Sequence, residues 1–193
     1  GDAQVVVCGG VESFSRRPLR LQTFVDGRAP EAYDQAAFTP WPDRDPAMVD
    51  AAAQLAQSHG ITKQAQDDWA IQSHAKALAQ TTPLPEISPL AGVHQDSFTR
   101  ALTPKICARA SSLTGTITAA NTAVAADAAA FCVVVSKEIA AKVDCPKAQI
   151  IGGTTLGHIP DQPGLSPLPA IAQTLSRAGL RAQDLSVAEV MEA

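Results

Sequence analysis

A chain of 193 residues, 46% hydrophobic and 18% charged, can bury a sizeable core as one large or two small globular units, and this composition excludes disorder. A net charge of −4 leaves no basic footprint for nucleic acid or an anionic membrane. No apolar run approaches the roughly 18–20 residues that span a bilayer, and no basic region precedes an apolar stretch at the N-terminus, so a soluble, cytoplasmic protein is expected.

The chain opens on a continuous aliphatic run, residues 4–8, that ends in Gly9-Gly10 and reads as a strand buried on both faces. Residues 16–42, with prolines and scattered charges but no period, read as an extended connection. Asp45-Pro46 predicts a helix start, with the aspartate as cap. Met48, Ala51, Ala52 and Leu55 form its apolar stripe and Gly60 its stop. Thr62 caps a second helix with Ala65, Trp69 and Ala77 along one side and Asp67 and Asp68 near its positive end, and the two helices are expected to pair as a hairpin.

Prolines 83, 85, 89 and 104 make residues 81–112 largely loop. A weak strand over 115–120 follows, then a buried strand within 127–136 built on Phe131 and the valines after it. Residues 137–142 read as a short helix and 148–151, before Gly152-Gly153, as a third buried strand. Ser166 and Pro167 begin a helix whose stripe is Leu168, Ile171, Ala172 and Leu175, with Gly179 as its left-handed stop. Residues 187–191 begin a fourth strand. Continuous aliphatic strands interleaved with amphipathic helices argue for an α/β domain with helix-covered sheets. The glycine pairs lack phosphate-cradling spacing and read as strand-ending turns.

Cys8, Cys107, Cys132 and Cys145 are widely spaced, with no metal-ligand pattern, and read as free thiols in a reducing compartment. Cys8 and Cys132 read as small buried hydrophobes within strands. Cys107 and Cys145, in a loop-rich stretch and before a proline, are not read as nucleophiles. His59, His74 and His94 read as solvated or capping residues, and His158, after Gly157, as the first histidine to inspect.

Several segments resemble thiolases, the enzymes that make or cleave a carbon–carbon bond between acyl groups carried on coenzyme A. GDAQVVVCGGVESFS (1–15) resembles the family's GDADVVVAGGMESMS; GITKQAQDDWAIQSH (60–74) resembles its QD-containing helix. GTITAANTAVAADAAA (115–130) is similar to GTVTAGNASGxNDGAAA, GLSPLPAI (164–171) to GxGPvPAi, and VAEVMEA (187–193) to the approach to NEAFA. The ordered matches cover nearly the whole chain, which therefore resembles an internal fragment or incomplete chain of that family. The resemblance implies a layered αβαβα fold, here incomplete, with an inserted helical and loop domain that holds coenzyme A. Residues 1–15 and 124–145 would belong to the N-terminal half, 16–123 to the inserted domain, shortened between Ser73 and Asp96, and 146–193 to the start of the C-terminal half.

Thiolase chemistry uses a cysteine thiolate that takes the acyl group, a histidine that activates it, and a second cysteine that moves the α-carbon proton. By the resemblance all three lie outside this chain, so no catalytic residue is assigned here and the isolated chain is expected to be inactive. Coenzyme A is the implied substrate, with no metal and no covalently held cofactor. The implied partners are acyl-CoA and a second copy in a homodimer or homotetramer. Met48 matches the methionine that lines the acyl pocket; Ala119 and Ala123 match positions whose small side chains let the pantetheine arm approach the backbone. Four departures bear on competence: Ala47 replaces the family's histidine, Ala123 a serine, Val124 a glycine, and Met191 the asparagine that holds an oxyanion-stabilising water. A full-length acyltransferase and a degenerate, non-catalytic protein that binds acyl-CoA or a partner subunit are the two parents considered. A fragment with uncovered strands is also expected to expose large apolar faces.

Overall fold

The computed structural model describes residues 3–82 and 84–191; Gly1, Asp2, Pro83, Glu192 and Ala193, on which parts of the sequence reading fall, lie outside the described residues. The longest sheet element is an antiparallel ribbon of β1 (Val5–Glu12) and β6 (Ala128–Val135), with Val5 opposite Val135 and Glu12 opposite Ala128. Gly9-Gly10 does not end β1, as expected, but lies inside it. Gly9 faces Phe131, and a Cβ there would come within 2.3 Å of the ring and 2.4 Å of the Ala130 carbonyl oxygen, so the close cross-strand approach requires glycine.

The ribbon is not buried as the aliphatic runs predict. β1 is exposed throughout and β6 in all but its last two residues; Val7 is 68% and Phe131 66% exposed. The reason is that β1 and β6 pack chiefly on each other, and no other described element makes extensive contact with either face of the ribbon. Cys8 and Cys132, expected to be buried, are therefore exposed; they face each other in the register.

Beyond Glu12 the ribbon is closed by a side chain. Asp127 accepts hydrogen bonds from the Ser15 hydroxyl (2.5 Å) and the Ser15 backbone N–H (2.8 Å), which hold its carboxyl below the usual carboxylate range. Everything between these two residues leaves and re-enters at one place. The first part is more ordered than the extended connection expected: β2 (Arg20–Gln22) pairs with β3 (Glu31–Tyr33).

Helix α1 (Met48–Ser58) begins later than Asp45-Pro46 suggests. Its N-cap is Ala47, without a side-chain bond, while Asp45 accepts from the Phe38 backbone N–H instead. Ala51 and Ala56 are buried, whereas Met48 and Ala52 of the expected stripe are exposed. Gly60, at φ +64°, is the left-handed stop that the sequence predicts. Helix α2 (Lys63–Ala79) is capped by Thr62, which accepts from the Ala65 N–H.

The predicted face of α2 is wrong. Trp69 is 71% exposed, and the side turned inward carries Asp67, Ala70, Ile71 and His74. A network of polar partners there satisfies Asp67, so burial follows hydrogen bonding rather than hydropathy. Nor do α1 and α2 pair chiefly with each other: α1 packs on the hairpin of β4 (Ser112–Thr114) and β5 (Ile117–Thr118), and α2 on α3 (Pro104–Arg109). The region 81–112 is therefore not all loop. Thr103 accepts from the Ile106 N–H and Pro104 fills the first helical turn, a complete start signal for α3.

After β6, Ser136 caps the short helix α4 (Lys137–Ala140). Residues 148–151 and 187–191 are exposed and belong to no helix or strand, so neither forms the expected buried strand among the described residues. Helix α5 (Pro167–Ala178) ends at Gly179, φ +67°, as predicted, but Ser166 makes no side-chain cap, being itself in right-handed helical geometry. Of its expected stripe, Leu168, Ile171 and Ala172 are exposed and only Leu175 is half-buried, because nothing described lies against that face.

Candidate functional site

The three ligand-site residues inferred from sequence lie on two elements in contact. Met48 is the first residue of α1, and α1 packs on the β4–β5 hairpin, whose following loop carries Ala119 and Ala123. All three residues are exposed, as contact with a ligand requires. Ala47, where the resemblance expects a histidine, offers the helix start no side-chain partner.

The loop after β5 is firmly held. The Ala119 N–H donates to the Ser111 carbonyl (3.1 Å), and the Ala119 carbonyl accepts from Arg100 Nη2 (3.2 Å). Arg100 lies 4.3 Å from the Phe98 ring centroid, and its backbone N–H donates to His74 Nδ1. Thr118 is buried; the Thr122 hydroxyl donates to its carbonyl and its own hydroxyl accepts from the Ala120 N–H.

Beneath this loop is a buried carboxylate. Asp67, 6% exposed, accepts from Lys63 Nζ at 2.5 Å and from Asn121 Nδ2 at 3.0 Å. Lys63 Nζ also donates to the Cys107 carbonyl at the end of α3. Asn121 Nδ2 bonds the Thr116 carbonyl as well, and Asn121 Oδ1 accepts from the Thr118 N–H at 2.7 Å. Sequence reading places Asp67 only as a charge near a helix terminus. Its partner Asn121 is 54 residues away, and no local pattern links the two.

Next to the carboxylate, Leu102, Cys107 and Ala120 form the buried apolar cluster, with Ala70, Ile71 and Ala110 around it. Burial, with the Asp67 charge second, pushes the Cys107 thiol up, so it stays protonated and is no nucleophile at neutral pH. All four cysteines are free, as expected.

His158, with Gly157 and Ile159, lines only an open groove, and its Nδ1 accepts from the adjacent Ile159 N–H. A cleft of about 530 Å³ lies between α1 and the β4–β5 hairpin, lined by residues that include Asp50, Gln54, Gln57, Thr114 and Thr116. None of Met48, Ala119 or Ala123 lines it. No described helix is long and apolar enough to cross a membrane.

Comparison with known proteins bears on the same elements. The sequence model of the thiolase N-terminal domain matches residues 1–138. A Staphylococcus aureus protein described as "Putative acetyl-CoA C-acetyltransferase VraB" is 29% identical over an alignment covering 100% of this chain and 54% of its own length. A Staphylococcus haemolyticus protein of the same description is 31% identical, with 98% and 53% covered. Human mitochondrial 3-ketoacyl-CoA thiolase, solved in complex with CoA, superposes with a TM-score of 0.81 at 27% identity, over 96% of this chain and 51% of that one. The acetyl-CoA acetyltransferase of Bacillus anthracis gives 0.77 at 27% identity, over 96% and 52%. The chain spans about half the length of the relatives it matches.

Proposed function

Because the chain belongs to the thiolase family, we propose that it forms part of an acyltransferase that moves acyl groups between coenzyme A thioesters, by Claisen condensation or by thiolytic cleavage of a 3-ketoacyl-CoA. Its thiolase-like α/β fold over nearly the whole chain is the observation that carries this reading. Residues 1–15 and 124–145 contribute to the N-terminal half, 16–123 form the inserted coenzyme A-binding domain, and 146–193 begin the C-terminal half. The Ser15–Asp127 clasp supports that division, because it joins the two ends of the inserted segment.

In this reading Met48 lines the acyl pocket, and the small side chains of Ala119 and Ala123 admit the pantetheine arm of coenzyme A beside the backbone. The reactive groups lie outside the chain. By the family resemblance the protein assembles as a homodimer or homotetramer, and the chemistry belongs to cytoplasmic lipid metabolism.

A second reading, a non-catalytic relative that binds acyl-CoA or a partner subunit, is favoured by Ala47, Ala123, Val124 and Met191, which stand where the family pattern has other residues. Thiolysis of acetoacetyl-CoA by the protein that contains this chain, measured as acetyl-CoA formed, separates the two. Turnover supports the acyltransferase; CoA binding without turnover supports the binding protein. The 193 residues alone are expected to be inactive, and turnover by them would overturn the assignment of the reactive groups to other parts of the protein.

A further inference from the structure

A buried carboxylate is an expensive way to hold two elements together, since apolar side chains of the same volume do so at least as well. What such a group adds is a single geometry. Asp67 is used in this way. One oxygen takes the Lys63 ammonium, which also holds the end of α3; the other takes Asn121 Nδ2. Asn121 in turn grips the turn at two backbone points, the Thr116 carbonyl and the Thr118 N–H. These two bonds, with the Thr122 hydroxyl on the Thr118 carbonyl, fix the backbone from 116 to 122. That backbone carries Ala119 and, one residue beyond, Ala123.

We propose that Asp67 and Asn121 are positioning residues for coenzyme A, setting the height of the Thr116–Thr122 turn so that the pantetheine arm meets the backbone at Ala119 and Ala123. This rests on the reading of the preceding subsection. Neither residue touches the ligand. Small side chains let a ligand approach closely, so the fit depends directly on where the backbone lies.

The donor pattern supplies the test. In Asp67→Asn one carboxylate acceptor becomes an amide donor, which must face either Lys63 or the Asn121 amide; in Asn121→Asp an acceptor is turned toward Asp67. Each breaks the link and is expected to weaken CoA binding about tenfold, the equivalent of one charged hydrogen bond. The double swap, Asp67→Asn with Asn121→Asp, again points a donor at an acceptor across the 67–121 contact but leaves the Thr116 carbonyl facing a carboxylate, so it should recover only part of the Asn121→Asp loss. Thr122→Val removes one bond from the same turn, leaves the buried carboxylate alone, and should cost about threefold. Calorimetric titration of the whole protein with CoA, beside thermal melts and the KM for CoA against kcat, reads all four.

Weakened binding in the folded single variants with partial recovery in the swap supports the positioning role, as does the smaller Thr122→Val loss if a buried variant does not fold. Unchanged CoA affinity in the folded variants, with only the melting temperature lowered, overturns it. Failure of the unaltered protein to bind CoA overturns instead the function on which it rests.

Discussion

Leu102→Ala tests where the interior of this chain lies. Leu102 is the largest side chain in the buried cluster with Cys107 and Ala120. The substitution removes three carbons, a transfer term of about 2.4 kcal/mol at about 0.8 kcal/mol for each methylene. Of the surrounding residues, Ala70, Ala110, Ala120 and Cys107 are too short to reach across the vacated space, and only Ile71 can lean into it. The cavity therefore largely persists, which raises the expected loss to about 3–4 kcal/mol. For a chain of this size that is a fall in Tm of roughly 6–16 °C. Urea unfolding followed by far-ultraviolet circular dichroism measures it, with Leu168→Ala as a control on an exposed helix face that should stay within about 0.5 kcal/mol. A Leu102→Ala loss below about 1 kcal/mol, at unchanged urea dependence, would refute the assignment of this cluster as the chain's core.

Two further outcomes follow from burial and charge. A water-soluble disulfide reagent should label Cys8, Cys132 and Cys145 in the folded protein and Cys107 only after denaturation, since Cys107 is 1% exposed with its thiol pushed up; prompt labelling of all four, resolved by mass spectrometry of peptides, would contradict this. The Asp127 carboxyl titrates below its ordinary value because it accepts from Ser15. A lowered folded-state pKa means that the clasp contributes fully above the ordinary carboxylate range and is lost as pH falls through the lowered value. Carboxyl carbon shifts recorded by NMR against pH should show that acid-side midpoint and its upward movement in Ser15→Ala, short of the ordinary range because the backbone N–H of residue 15 still donates; an identical midpoint in the variant would remove the Ser15 hydroxyl as a cause.

Where local chemistry decides, the sequence is informative. Thr62, Gly60 and Gly179 mark helix ends that the structure confirms, because caps and left-handed stops act within a few residues. The start of α3 is present at Thr103-Pro104, but the surrounding prolines make the segment read as loop. Residues 148–151 have the composition of a strand yet form none, since a strand is defined by a neighbour that composition does not name. Trp69 and Asp67 exchange their expected places because Asn121 and Lys63 make the charged face of α2 the one that can be buried. The candidate site divides in the same way: Met48, Ala119 and Ala123 are proposed from resemblance, whereas the carboxylate under the Ala119 loop depends on a contact across 54 residues.

The Ser15–Asp127 clasp makes β1 and β6 a hairpin with a very long loop, the clasped positions lying 112 residues apart in sequence. Closing a flexible loop costs about 0.6 kcal/mol for each doubling of its length, so replacing a four-residue turn with this segment adds only about 3 kcal/mol. The folded interior of the segment offsets that cost independently of the strands. Such an architecture lets the intervening segment lengthen, shorten or be exchanged while the ribbon keeps its register, which makes the junction at Ser15 and Asp127 a natural cut point for grafting another segment onto the same ribbon.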